Sequence, residues 1–149
     1  MKLCLRWNIN NMIKKYKAMV LSCIDPRFQP IVYNYLKKRK LSGKYSSFTI
    51  AGAAVGVTAT KFKKWHKTFW ENLSTSIKIH KIEKLIVINH KDCGAAKIVN
   101  GKKEFNFLNE LKIHKNSFDK IKKLLKNKHP KLKIELGLIS LNKKLEKFR

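Results

Sequence analysis

Short, almost wholly apolar runs constrain the fold of this chain more than any other feature of its sequence. "KLIVINH" (84–90) is one such run, and "KAMVLSCID" (Lys17–Asp25) contains another. Apolar residues without alternation are typical of strands covered on both faces, as in a parallel sheet. We therefore interpret Lys17–Asp25 as strand 1 and residues 84–90 as strand 3.

Helical patterns and two further strands occupy the rest of the chain. Helices are expected where apolar residues recur at three- and four-residue spacing, and breaks where Gly or Pro interrupts them. In chain order, the predicted elements are a helix from Pro30 that ends at Gly43, strand 2 over "YSSFTIAGA" (45–53), a helix from Thr58 to about Ile79, a helical segment Lys103–Lys128 broken near Asn116-Ser117 and ended by Pro130, and strand 4 in "KLKIELGLISLNKKLEKF" (131–148), followed after Gly137 by a fifth strand or hairpin. Residues 1–16 are expected to form an arm or a short helix.

The alternation of strands and helices predicts an α/β fold with a mostly parallel, twisted sheet. We expect strand order 2-1-3-4, a fifth antiparallel strand at the edge, and helices on both faces of the sheet. The length of 149 residues fits a single domain over 1–149. In such a sheet the chain leaves strands 1 and 3 in opposite directions, so the crevice between their carboxyl ends is the expected ligand site.

The formal net charge of +26 limits the partners of the chain. Such an excess would suit a nucleic acid, but nearly all of it is lysine, scattered along the chain and not gathered in one patch. We therefore keep nucleic-acid binding only as an alternative. The sequence contains no run of 18 apolar residues, so no membrane span is predicted. The N-terminus is interpreted as mature sequence without a signal peptide. A cytoplasmic location is expected.

Two motifs lie at the carboxyl ends of strands 1 and 3, on either side of the crevice expected to bind a ligand. "SCIDPRF" ends strand 1, and "NHKDCGA" ends strand 3. With the predicted order, Cys23, His90 and Cys93 converge, and two thiolates with one imidazole suit zinc. Three protein ligands leave a fourth position open, as in catalytic zinc sites. The odd number of cysteines also favours thiols or metal ligands over a disulfide framework, although Cys4 belongs to no motif.

The spacing of these residues resembles the β-class carbonic anhydrases. "C-x-D-x-R", followed by "H-x-x-C-G", resembles the paired metal motifs of that family. "IAGAAV" resembles its small-residue loop after strand 2, and "LGLISLNKKLE" its later strand–glycine–hairpin segment. The resemblance implies an α/β fold, a Zn²⁺ ion, a homodimer or higher even oligomer, and reversible hydration of carbon dioxide to bicarbonate with zinc-bound hydroxide as the nucleophile.

The residue types at the first motif suggest a role for each side chain. Asp25 can accept a hydrogen bond from the nucleophile and orient it, or swing in and fill the fourth zinc position. Arg27 decides between these by holding the carboxylate in a charge-assisted pair. Gly52, Ala53 and Gly94 are candidate substrate-binding residues.

Other polar residues are interpreted as structural or solvated. Asp92 is read as a turn residue and Gly94 as the point of a sharp turn. Four histidines lie among lysines and are expected to be solvated: His66, His80, His114 and His129.

Two alternatives remain open at the level of sequence. The same metal site could hydrolyse an analogue of carbon dioxide, such as carbonyl sulfide or carbon disulfide. The chain could also be a non-enzymatic relative that binds metal or nucleic acid. A narrow apolar tunnel to the metal would favour the first, and a contiguous lysine face the second.

Overall fold

The computed structural model describes residues 15–149. The predicted arm or short helix over residues 1–16 lies outside the described residues except for Lys15 and Tyr16, and Cys4 lies outside them as well. Within the described part, strands and helices alternate as the sequence predicts. The strands are β1 (Ala18–Ser22), β2 (Tyr45–Thr49), β3 (Lys84–His90), β4 (Lys133–Ile139) and β5 (Leu145–Phe148). The helices are α1 (Gln29–Lys38), α2 (Ala54–Thr58), α3 (Lys63–His80), α4 (Gly94–Asn100) and α5 (Phe107–Lys128), with a 3₁₀ turn over Thr60–Phe62.

The five strands form one sheet in the order β2-β1-β3-β4-β5. The first four strands are mutually parallel, and β5 runs antiparallel to β4. This confirms the predicted α/β fold, the order 2-1-3-4 and the antiparallel fifth strand. In the register, Ser22 at the end of β1 stands between Thr49 of β2 and Ile88 of β3. The carboxyl ends of these strands therefore share one edge of the sheet.

Helices cover both faces of the sheet, as predicted. On one face α1 packs Val32 and Leu36 against the inward side chains of β1 and β3. On the other face α2, α3 and α5 cover a larger core, which includes Phe69, Leu73 and Phe118. Among residues 15–149, no helix has the length and hydrophobicity needed to cross a membrane.

The first two strands end earlier than the sequence predicts. β1 stops at Ser22, whose carbonyl accepts the last ladder hydrogen bond from Ile50 at 3.0 Å. The residues from Cys23 to Asp25 therefore lie in a loop beyond the sheet. β2 likewise stops at Thr49, because Gly52 takes a positive φ of 78° that no strand accommodates.

Two short helices, α2 and α4, are absent from the predicted pattern. The predicted helix from Thr58 begins only at Lys63, because Ala59 is extended (φ −75°, ψ 138°) and separates α2 from α3. The predicted break near Asn116-Ser117 is wrong. Helix α5 runs unbroken through Asn116 and Ser117. The Ser117 hydroxyl donates to the His114 carbonyl at 2.7 Å, one turn earlier, so this polar side chain is satisfied within the helix.

Candidate metal centre

Two neighbouring strand ends at the carboxyl edge of the sheet bring the predicted metal ligands together. Cys23 follows β1, His90 is the last residue of β3, and Cys93 is the N-cap of α4. Their ligand atoms all lie within 4.8 Å of one another, and all three residues are buried. Both cysteines are free thiols. The strand order therefore produces the convergence expected from the two motifs.

The surroundings of Cys23 favour its thiolate. The Cys93 thiol donates toward Cys23 Sγ and lowers the pKa of Cys23 to about 4 in spite of burial, with further help from His90 and a 3.2 Å hydrogen bond from the Gly52 N–H. The Gln29 side chain donates to the Cys23 carbonyl and holds the loop. The same thiolate and burial raise the pKa of Cys93. A cation at this point would reverse that effect, since it stabilises both thiolates.

His90 presents its Nε2 atom toward the two sulfurs. Its Nδ1 lies 2.8 Å from the Lys91 carbonyl, which can only accept, so Nδ1 carries a proton and Nε2 of the neutral ring carries a lone pair. The ring stacks on Phe28 with centroids 4.0 Å apart. Burial lowers the pKa of His90, but the nearby Cys23 thiolate and the Lys91 carbonyl outweigh burial and leave it raised. His90 Nε2 is buried without a hydrogen-bond partner in the described part of the chain.

These features fit a zinc ion. The donor set is two sulfurs and one imidazole nitrogen, all of them common zinc ligands. Zn–S bonds of about 2.3 Å and Zn–N bonds of about 2.0 Å place tetrahedral ligand atoms roughly 3.5–4 Å apart, which is compatible with ligand atoms that all lie within 4.8 Å of one another. A buried imidazole nitrogen without a partner costs free energy unless something binds it. A metal ion satisfies this atom and both sulfurs at once.

An arginine–carboxylate pair flanks the cluster. Arg27 donates from Nη2 to Asp25 Oδ2 at 2.7 Å, from Nε to Oδ1 at 3.1 Å, and from its backbone N–H to Oδ1 at 3.0 Å. These bonds lower the pKa of Asp25, while Asp25 raises the pKa of Arg27. Asp25 Oδ2 lies only 3.9 Å from His90 Nε2. A fixed carboxylate therefore stands beside the point where the three ligands meet.

Asp92 supplies a second anchor for Arg27. Its Oδ2 accepts from Nη1 at 2.7 Å, and its carbonyl accepts from Nη2 at 3.2 Å. The backbone of Asp92 is left-handed, with φ 57°, which agrees with its interpretation as a turn residue. The turn after β3 thus helps to aim the guanidinium group.

An open cleft of about 470 Å³ lies over this cluster. Its lining is mostly apolar, and Asp25 and Arg27 are the charged groups in it. Gly52 and Gly94 line the cleft, whereas Ala53 is fully buried behind it. A Cβ at Gly52 would come within 2.7 Å of the Ala95 Cβ, so the close approach of this loop requires glycine.

Sequence reasoning missed a group of buried polar residues behind the cluster. They are Asn89, Glu110, His114 and Ser117. The expectation that His114 is solvated is wrong, because its side chain is 0% exposed. A signal was present: Glu110, His114 and Ser117 share three- and four-residue spacing with Ile121 and Leu125, which places them on the buried face of α5.

Fold and site together define an α/β protein of the β-carbonic anhydrase type, with a cysteine–histidine–cysteine cluster that could bind a metal. Residues 13–135 match the family described as "Putative carbonic anhydrase", and the chain belongs to that family. Two similar proteins are the uncharacterized protein RC0076 of Rickettsia conorii and an uncharacterized protein of Rickettsia bellii. Each is 24% identical over 137 residues, which cover 91% of this chain and 74% and 84% of the respective relatives.

Solved structures of β-carbonic anhydrases share the fold. The β-carbonic anhydrase CcaA has a TM-score of 0.64 at 14% identity, covering 91% of this chain and 81% of that one. CafA of Aspergillus fumigatus has a TM-score of 0.59 at 10% identity, covering 91% and 76%. One of two tetrameric enzymes from Sordaria macrospora has a TM-score of 0.58 at 10% identity, covering 91% and 81%. These likenesses confirm the predicted fold, and the family match over residues 13–135 confirms the predicted family resemblance.

Proposed function

We propose that this protein is a zinc-dependent carbonic anhydrase that catalyses the reversible hydration of carbon dioxide to bicarbonate. The observation that carries the proposal is the meeting of three ligand atoms within 4.8 Å, beside a carboxylate held by an arginine. Membership of the family supports the same reaction.

Cys23, His90 and Cys93 would hold the zinc ion. When bound there, zinc lowers the pKa of a water molecule toward neutrality and so supplies the nucleophile. The Gly52 N–H and the Lys91 carbonyl orient two of these ligands, Cys23 and His90, through one hydrogen bond each. Such outer partners fix the direction of ligand atoms and the protonation state of the imidazole.

Asp25 and Arg27 would control the fourth position of the metal. The low pKa of Asp25 keeps its carboxylate ionised, so it can accept a hydrogen bond from the reacting water and orient that water. Arg27 donates to both carboxylate oxygens of Asp25 and to the side chain of Asp92. These bonds would keep the Asp25 carboxylate from rotating toward the metal ligands. Asp25 and Arg27 are the catalytic residues of this proposal.

The cleft over the cluster suits a small, weakly polar substrate. Ile24, Pro26, Ala51 and Ala95 give it an apolar wall. We propose that Gly52 and Gly94 admit carbon dioxide along this wall. Ala53 would act indirectly, because its own positive φ of 48° shapes the same loop from behind.

We also propose a homodimer or higher even oligomer that works in the cytoplasm. Large apolar side chains are exposed on the loop and the helix that line the cleft, notably Ile24 at 58% and Ile98, in α4, at 55%. Exposed apolar side chains of this size are common at protein interfaces. Two free thiols as metal ligands require a reducing compartment, which the cytoplasm provides. Residues 1–149 would act as one domain.

Metal analysis and stopped-flow kinetics test the proposal. Purified protein should contain about one zinc per chain and should hydrate carbon dioxide. The variants Cys23→Ser, His90→Ala and Cys93→Ser should each lose the zinc and the activity. Cys4→Ser is the matched control, because Cys4 belongs to neither motif, and it should keep both. Stoichiometric zinc in all three ligand variants would refute the site, and zinc-loaded protein without hydration activity would refute the reaction.

A further inference from the structure

A network of four buried polar side chains lies behind the candidate metal centre, and the proposed mechanism does not use it. Asn89 is 1% exposed, Glu110 8% and Ser117 4%, and His114 is fully buried. Buried polar groups cost free energy unless each finds a partner, and a buried carboxylate costs more than the others. The network extends from the start of α2, through the end of β3, to the middle of α5.

The hydrogen bonds of this network have a fixed direction. The Ala54 N–H donates to Asn89 Oδ1 at 3.0 Å, so the amide nitrogen of Asn89 faces His114 Nδ1 at 2.9 Å and Ser117 Oγ at 3.3 Å. Since Nδ1 accepts, the proton of the neutral imidazole resides on Nε2. His114 Nε2 in turn faces Glu110 Oε1 at 3.5 Å, an electrostatic contact without the geometry of a hydrogen bond. The Ala54 N–H thus fixes the orientation of the Asn89 amide, and the amide determines which nitrogen of His114 carries the proton.

The other side of Glu110 faces the loop that carries a metal ligand. Glu110 Oε1 accepts from the backbone N–H of Cys93 at 2.9 Å. Burial raises the pKa of Glu110, but His114 and the backbone N–H groups of Cys93 and Asp92 outweigh burial and lower it, so the group is a carboxylate. Hydrogen bonds to an ionised acceptor are the stronger kind.

The peptide between Asp92 and Cys93 is therefore held from two sides. Glu110 accepts from its N–H group on the interior side, and Arg27 donates to the Asp92 side chain and carbonyl from the cleft. Asp92 has a positive φ of 57°, a conformation that persists when its surroundings impose it. Release of either side would let this turn relax and would move the Cys93 sulfur.

We propose that Glu110 is a positioning residue of the metal centre, whose carboxylate, with the His114 imidazole beside it, fixes the Asp92–Cys93 peptide so that the Cys93 sulfur meets Cys23 and His90. The inference rests on the proposed metal site. It assigns Glu110 no contact with the metal or with substrate.

Zinc affinity of Glu110 variants tests this role. Competition with a chromophoric chelator measures the zinc dissociation constant of the full chain. Glu110→Ala should raise this constant by about 10–100-fold, as is usual when an outer partner of a metal ligand is removed. Glu110→Gln keeps the volume and one acceptor for Cys93, so it should raise the constant less. Glu104→Ala is the matched control, since Glu104 is exposed, and it should leave the constant unchanged.

A measurement on metal-free protein separates positioning from a loss of fold. In the unmodified chain the Cys93 amide should exchange slowly, because it is buried and bonded to a carboxylate. Glu110→Gln should accelerate this exchange by about tenfold or more, while amides in the centre of β3 keep their protection.

The inference is overturned if Glu110→Gln, and Glu110→Ala where it folds, bind zinc within twofold of the unmodified chain and keep the Cys93 amide protected. Failure of the proposed function looks different. In that case the unmodified chain binds no zinc, whereas the exchange measurement still reports whether Glu110 holds the peptide.

Discussion

At the scale of single residues, Arg27 has contacts beyond those of an ordinary surface ion pair. It is partly exposed, yet it binds both oxygens of Asp25 as well as the side chain and carbonyl of Asp92. Ion pairs with this exposure contribute little to the free energy of unfolding. The value of these contacts therefore lies in geometry, because they fix a carboxylate 3.9 Å from a candidate metal ligand.

Arg27→Ala should separate metal binding from turnover. None of the three ligands is changed, so zinc should be retained. The freed Asp25 carboxylate should then fill the open coordination position, and hydration activity should fall by about 100-fold or more. In cobalt-substituted protein, the absorption of Arg27→Ala should become independent of pH. Asp25→Asn should also lose turnover, but its absorption should still change with pH, because an amide is a poorer ligand.

Arg39→Ala is a suitable control for this prediction. Arg39 also forms a 2.7 Å ion pair, with Glu135, but it lies at the end of α1 and away from the cleft. Its removal should leave hydration activity unchanged. Near-native activity of Arg27→Ala would mean that the Asp25–Arg27 pair is only structural.

At the scale of elements, the loop between β2 and α2 determines how closely the backbone approaches Cys23. Gly52 combines a positive φ of 78°, a Cβ direction blocked by Ala95, and an N–H bonded to the Cys23 sulfur. Gly52 thus brings the loop between β2 and α2 into contact with both α4 and the Cys23 sulfur. Backbone strain here would be transmitted directly to the sulfur.

Gly52→Ala should lower the free energy of unfolding of metal-free protein by about 3 kcal/mol, from backbone strain and overpacking together. Gly43→Ala isolates the backbone contribution. Gly43 has a similar φ of 68°, but a Cβ there meets nothing within 4 Å, so we expect a loss of about 1 kcal/mol. Urea unfolding measures both. Equal losses in the two variants would contradict the proposed steric role of the Gly52 position.

The sequence predicts the strands more completely than the short helices. Apolar runs such as 84–90 identify β1 and β3 directly, and the rules of parallel sheets then bring Cys23 close to His90. The helices α2 ("AVGVT") and α4 ("GAAKIVN") are too short and too rich in small residues to show a helical period. Their existence depends on tertiary contacts that local pattern does not contain.

The buried network was hidden for a different reason. His114 stands between lysines at positions 112 and 115, which suggests a solvated surface. Burial of Glu110 and His114 becomes favourable only when Asn89 and the Cys93 N–H arrive from other elements to pair with them. Such pairing exists only in the assembled fold. The lysines near His114 therefore suggest solvent exposure for a side chain that is in fact buried.

At the scale of the whole molecule, the net charge of +26 opposes contact between two copies of the chain. Salt screens this repulsion, because the Debye length falls from about 30 Å at 0.01 M to about 8 Å at 0.15 M ionic strength. Burial of apolar side chains such as Ile24 and Ile98 is not weakened by screening. The balance between the two effects should determine the oligomeric state.

Sedimentation velocity at increasing salt concentration tests this balance. The proportion of dimer or higher even oligomer should rise with salt at constant protein concentration. Ile98→Lys should shift the population back toward monomer at each salt concentration, whereas Leu141→Lys, an equally exposed residue beyond β4, should not. A monomer at all salt concentrations would refute the proposed assembly.

The ligand cluster also joins parts of the chain that lie far apart in sequence. Cys23 lies in the loop after the first strand, and His90 and Cys93 come from the third strand and the turn after it, with two helix-containing connections between them. An ion held by all three would act as a removable cross-link across the two central strands. Because it binds only when both strands are in place, bound metal would raise the free energy of unfolding in addition to supplying its chemistry. Zinc starvation would then reduce the amount of intact protein in addition to its activity.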